Sequence, residues 1–107
     1  MSTEGKSDAM QFLESVTGGP LTLGELLLSI RRGEQMSQVE LARRLGVSRS
    51  HLCDLEKGRK TLSPRRAAQF ARILGYRETQ FVRLALQAMI EEAGLQLAVE
   101  VVPVPSC

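Results

Sequence analysis

Residues 37–60, SQVELARRLGVSRSHLCDLEKGRK, constrain the fold more than any other stretch of the chain. Ser37 stands where a helix needs its N-cap, with Glu40 three residues on in capping-box position. Leu41, Ala42 and Leu45 then form the inner side of a short helix. Gly46 ends it by permitting a backbone turn that a side chain would oppose. Val47 plugs the corner as a buried residue, Ser48 caps a second helix over 49–57, and Gly58 is its left-handed stop. So short a connection forces the two helices to cross steeply, and a small residue, Ala42, fills the place where they touch.

The flanking punctuation divides the rest into further short helices. Met10, Phe12, Leu13 and Val16 share roughly one side of a weak helix over residues 7–16, ended by Gly18-Gly19-Pro20. Thr22 and Glu25 form another capping box ahead of Leu23, Leu26, Leu27 and Ile30, with Gly33 as the stop. Ser63-Pro64 reads as cap and first turn of a helix that faces Ala67, Ala68, Phe70, Ala71 and Leu74 inward and ends at Gly75. Thr79 opens the last helix, over 81–93, closed by Gly94. Beyond it, residues 95–102 alternate apolar side chains at 95, 97, 99 and 101 and are rich in valine, which reads as a strand ended by Pro103 and Pro105. The expected fold is mainly α: five helices and a C-terminal strand, with an N-terminal arm over 1–20, a core domain over 21–76, and a C-terminal helix and strand over 77–107. With no Trp and only three Phe and one Tyr, the core is expected to be aliphatic.

The charge is uneven. Residues 31–66 carry ten basic and four acidic side chains, a net +6, whereas the remainder nets −4 and nothing after residue 83 is Lys or Arg. A basic centre points to a polyanion and an acidic tail to a different partner, although an Arg-rich solvated surface has the same signature. There is no run of about 18 uncharged apolar residues, so no membrane span is expected. The polar start lacks the pattern of a secretory signal. Cys53 and Cys107, 54 positions apart, make neither a metal cluster nor a disulfide framework, which fits a reducing cytoplasm. Catalysis is also rejected: the chain has one His, no Gly-rich phosphate loop and no metal-ligand cluster. His51 and Cys53, two apart on a helix, point about 160° away from each other and cannot act as base and nucleophile. No cofactor and no metal is expected.

The geometry of residues 37–60 is that of a helix-turn-helix, whose second helix can enter a major groove. Projected at about 100° per residue, Leu52 and Leu55 point one way. Ser50, Cys53, Asp54 and Lys57 point the other, with Arg49 at the edge and His51 and Glu56 flanking the buried stripe. Gln38, Leu41, Ala42, Gly46, Val47, Ser48, Leu52, Leu55, Glu56 and Gly58 together resemble the lambda-repressor/Cro-like (Xre-type) helix-turn-helix family over residues 21–86.

Chemistry distributes the contacts to double-stranded DNA. Arg49 suits a bidentate contact to guanine O6 and N7. Ser50 can donate or accept at a base edge or phosphate. Asp54 can accept from cytosine N4, or orient Arg49 or Lys57. Lys57, Arg59 and Lys60 are placed to hold phosphates beyond the helix. Ser48 at the cap and His51 at the flank complete the set. The resemblance implies that Gln38 fixes the backbone at a helix N-terminus, and that Glu56 pairs with an arginine of the first helix, for which Arg31 is the candidate. Cys53 departs from the polar residue usual there; it reads as a small half-exposed filler, with a redox switch at the DNA face as the alternative, which no neighbouring residue specifically supports.

The last helix is too apolar for one buried side, and a lone strand leaves its backbone unpaired. Both are met by a two-fold homodimer through Leu86, Met89, Ile90, Leu95, Leu97, Val99 and Val101, with strands 95–102 paired antiparallel. The alternative is a strand folding back on its own N-terminal segment. A small chain of this type with such a tail is similar to HigA-like antitoxins and to phage or restriction-control repressors. That likeness implies a bacterial or phage-encoded transcriptional repressor reading an inverted repeat. In an antitoxin, a basic toxin would bind residues 7–16 and the acidic tail. A protein-interaction module that does not read DNA is the alternative from a different class, and the basic residues around Arg49 argue against it.

Overall fold

The computed structural model describes residues 21–105. The expected helix over 7–16 lies outside the described residues. Five helices follow in order: α1 (Leu23–Gly33), α2 (Gln38–Leu45), α3 (Arg49–Glu56), α4 (Pro64–Leu74) and α5 (Glu78–Glu92). Local chemistry sets most of their ends. Thr22 and Ser37 each accept the N–H of the glutamate three residues on, and that glutamate caps the N–H of Thr22 or Ser37 in return. Ser63 accepts from Arg66 N–H, with Pro64 in the first turn of α4.

Two ends differ from the sequence reading. Gly33 is the last residue of α1, but the left-handed residue is Gln35 (φ 57°). The Met36 N–H bonds the Arg31 carbonyl at 2.9 Å, so a local backbone hydrogen bond closes the turn with Gln35, not a glycine, in the left-handed conformation. Helix α5 begins at Glu78 after Arg77, with no side-chain cap, and so does not open on Thr79.

One core joins all five helices, from Leu27, Leu41 and Leu52 through Leu62 to Phe70, Phe81 and Leu84. Its centre is less aliphatic than composition suggests, because Phe70 and Phe81 are fully buried at the contact of α4 with α5. Ala68 and Val47 are only half-buried; Val47 packs at the edge of the core and does not plug it. Helix α3 packs on both α1 and α2.

The expected strand is corrected. Residues 95–105 adopt no regular secondary structure, and no strand occurs among the described residues. A strand needs a neighbouring backbone, and the chain presents a helix instead. The Gln87 side chain takes the neighbour's place: its Nε2 donates to the Leu97 carbonyl at 2.8 Å and its Oε1 accepts the Val99 N–H at 2.9 Å. These two bonds span Ala98 much as one residue of a parallel strand would. Val99 and Val101 are half-buried, whereas Leu95 and Leu97 are 49% and 58% exposed. No helix of the described residues is long and apolar enough to cross a membrane.

Candidate nucleic-acid interface

The turn that aims α3 is built from backbone. Gly46 adopts φ 74°, the Val47 N–H bonds the Ala42 carbonyl at 3.0 Å, and the Ser48 hydroxyl accepts the His51 N–H at 3.0 Å. Leu52 and Leu55 are buried, at 0% and 3% exposure, which turns the opposite face outward. Arg49 and Ser50 are exposed in the first turn, and Lys57, Arg59 and Lys60 are exposed at and beyond the last. His51 and Cys53 are half-buried at the flanks. Ser48 is exposed, but its oxygen serves the helix cap, which leaves its hydroxyl hydrogen for an outside acceptor.

Asp54 pairs differently from expectation. Its carboxylate is 3.4 Å from Arg59, and neither Arg49 nor Lys57 is its partner. The Asp54 carbonyl also accepts the N–H groups of Arg59 and Lys60, at 2.8 and 3.3 Å. The chain after α3 therefore folds back over the helix end, and Asp54 holds the cation-bearing connection in place.

A second cluster fixes the angle of α3. Arg31, from α1, forks onto Glu56 at 2.8 and 3.1 Å and also donates to the Met36 carbonyl at 3.3 Å. Gln38, first residue of α2, donates to the same Glu56 carboxylate at 2.9 Å. The Glu56 side chain is only 5% exposed, so three helices are joined through a nearly buried carboxylate. Hydrogen bonding to Glu56 holds the Arg31 guanidinium above its ordinary pKa, against the opposing effect of burial. A raised arginine pKa adds stability at every pH below the ordinary arginine value, so the pair confers no pH dependence near neutrality. The expected Arg31–Glu56 pair is thus present. Gln38 stands at the helix N-terminus as expected, with one amide hydrogen already committed to Glu56.

Two features of this face had no role assigned from the sequence. Arg65 and Arg66, counted there only in the basic stretch, lie in the first turn of α4, are exposed and extend the basic surface, with Arg66 stacked 5.5 Å from the centre of the Phe70 ring. Their signal was the Ser63-Pro64 cap so soon after Lys60. Gly24 is the other. A Cβ there would run into the Leu55 carbonyl oxygen and lie 3.1 Å from that of Glu56, so glycine is what lets α1 approach the end of α3. Among the described residues, no three His, Cys, Asp or Glu side chains gather as a metal ion would require.

Two short helices joined by a tight turn at Gly46, with a braced, basic second helix, define a helix-turn-helix protein. Residues 27–81, just over half of the chain, match the helix-turn-helix family of the Xre, or lambda-repressor-like, type, and the chain belongs to that family. It is also similar to the "ImmF control region 10 kDa protein" of Bacillus phage phi105. The two are 29% identical over 76 residues, which cover 71% of this chain and 83% of the phage protein. No solved structure matches the chain.

Proposed function

We propose that this protein is a DNA-binding transcription regulator, a repressor that reads the major groove through α3. The observation that carries the reading is the outward face of α3: exposed Arg49 and Ser50, followed by Lys57, Arg59 and Lys60, on a helix braced from behind by Arg31, Glu56 and Gln38. A reading helix needs this rigidity, because a base-edge contact is lost when its donor is misplaced by a fraction of an ångström. Arg49 reads a guanine, Ser50 a base edge or phosphate, and Gln38, Ser48, His51, Lys57, Arg59 and Lys60 set the register on the backbone. Asp54 acts through Arg59. The family and the name of the phage relative, a control-region protein, favour regulation over catalysis.

We infer further that the regulator works as a homodimer on an inverted repeat. Met89, Leu95 and Leu97 are about half exposed, an apolar surface that a second copy would cover together with Leu86, Ile90, Val99 and Val101. In such a dimer the residue 95–102 segments would find in each other the strand neighbour that the single chain lacks. An antitoxin role would use the same tail for a toxin, and the phage relative favours a phage-type control protein instead. Footprinting on the DNA upstream of the protein's own gene tests the reading. Two protected half-sites about 34 Å apart, related by two-fold symmetry, are expected. Protection that is uniform and indifferent to sequence would refute it.

A further inference from the structure

We propose that Gln87 presents one backbone edge of residues 96–100 to the same segment of a second copy, and that the two segments pair antiparallel about Ala98. The proposal rests on the homodimer reading and adds to it the edge, the register and the residue that sets them. The chain leaves α5 at Gly94, whose φ of 75° turns it back along the helix, and the Leu95 N–H bonds the Ile90 carbonyl at 3.2 Å. Gln87 then takes the Leu97 carbonyl and the Val99 N–H. Its amide also donates to Glu91 at 3.3 Å, which fixes the clamp itself. In an extended chain the N–H and C=O of one residue point to one edge, and those of the next residue to the other. With residues 97 and 99 bonded to Gln87, residues 96, 98 and 100 turn their polar groups outward. Ala98 and Glu100 are exposed, and among the described residues their backbone groups make no hydrogen bond. Counted along the same run, Pro103 and Pro105 fall on the inner edge, so their missing N–H groups take no donor from the outer one.

A free edge of this kind takes up another extended chain, and the side chains along it favour its own copy. Two-fold pairing about Ala98 sets Leu95 opposite Val101 and Leu97 opposite Val99, so each apolar side chain of the alternation meets another. These are the non-hydrogen-bonded pairs, whose side chains stand closer together. On the other face Gln96 lies opposite Glu100, an amide against a carboxylate, and the small Ala98 meets itself. Neighbouring registers are worse. Pairing about Glu100 opposes two carboxylates, pairing about Val99 sets Leu95 against Pro103, and pairing about Leu97 runs into the turn at Gly94. A two-stranded ribbon alone is marginal in water. This one is backed by α5, because Val99 and Val101 are already half-buried in the single chain, and pairing covers the more exposed Leu95 and Leu97.

Disulfide trapping on the full chain tests the register, in a background carrying Cys53→Ser and Cys107→Ser. Directly opposed residues on the bonded edge stand about 5.5 Å apart between Cα atoms, within disulfide reach. Ala98→Cys should therefore cross-link to itself. Gln96→Cys and Glu100→Cys should cross-link to each other about tenfold faster than either does to itself. Adding Gln87→Ala should slow the Ala98→Cys cross-link about tenfold, through loss of the two bonds that present the edge. Sedimentation of the cysteine-free background reads the dimer independently. A dimer whose cross-links favour another pairing, or whose Ala98→Cys cross-link is indifferent to Gln87→Ala, overturns the proposal and leaves the homodimer reading standing. A chain that stays monomeric overturns both.

Discussion

Gly24→Ala sets two known effects against each other, and the structure decides which wins. In an exposed helix interior the substitution would stabilise α1 by about 1 kcal/mol, since alanine loses less backbone entropy. At this position the new methyl meets the backbone carbonyls of Leu55 and Glu56, with the Glu56 oxygen at 3.1 Å and the Leu55 oxygen much closer. The nearer one cannot swing aside: the Leu55 carbonyl accepts the Gly58 N–H at 3.2 Å in the stop of α3. Carbon–oxygen contacts settle at about 3.3–3.6 Å, so α1 and α3 must separate by roughly 1 Å. A gap of that size forfeits a quarter to a half of the dispersion energy across it, here between leucines such as Leu27 and Leu52. Overpacking of this kind costs about 1–3 kcal/mol, and the net expectation is a loss of about 1–2 kcal/mol. Urea unfolding would read this as a midpoint roughly 1 M lower, for a slope near 1–2 kcal/mol per M. Gly33→Ala is the internal control, because no atom lies within 4 Å of its added methyl; that variant should be neutral or more stable. If Gly24→Ala matched Gly33→Ala in stability, the close approach of α1 to α3 would be refuted.

The other predictions concern the braced carboxylate, the reading face and the tail. Arg31→Ala strands the nearly buried Glu56 charge and should cost about 3 kcal/mol, whereas Arg31→Met with Glu56→Leu should recover most of that loss in the same urea titration. Arg49→Ala should cost about 1–3 kcal/mol on one preferred sequence and relax specificity at one base pair, measured by binding to a panel of single-base variants. Lys60→Ala should weaken binding to all sequences alike and lower the salt slope by about one unit; identical behaviour of the two variants would undo the division into reading and clamping residues. Deleting residues 95–107 should leave helical circular dichroism intact, make the protein more monomeric by sedimentation, and weaken operator binding about 10²–10⁴-fold through lost avidity.

What was legible in the sequence was local. The Thr22–Glu25 and Ser37–Glu40 capping boxes, and the glycine stops at Gly46, Gly58 and Gly75, are decided by neighbours three or four residues away, and the helices begin or end beside them. Arg49 and Ser50 could be placed on the outer face because Leu52 and Leu55 defined the inner one. The features that escaped depend on residues far apart in the chain. Gly24 looks like a defect in a helix until α3 is laid against it. Asp54 faces outward by projection, yet takes Arg59 once the chain turns back at Gly58. The alternation over 95–102 is a true apolar pattern, but pattern alone does not supply a neighbouring strand, and Gln87, an ordinary surface residue by sequence, takes that place.

Helix α3 has only eight residues, which makes it about 12 Å long at 1.5 Å per residue. Base pairs succeed one another every 3.4 Å or so along a strand, so one such helix lies over about four of them. Four specified base pairs recur by chance roughly once in 256, while a genome offers about 10⁶–10⁹ competing sites. The shortness of the helix therefore limits the information that one copy can extract, however well each contact is made. A control protein built on it must lengthen its address, through a second copy or through contacts outside the groove, before it can single out one promoter.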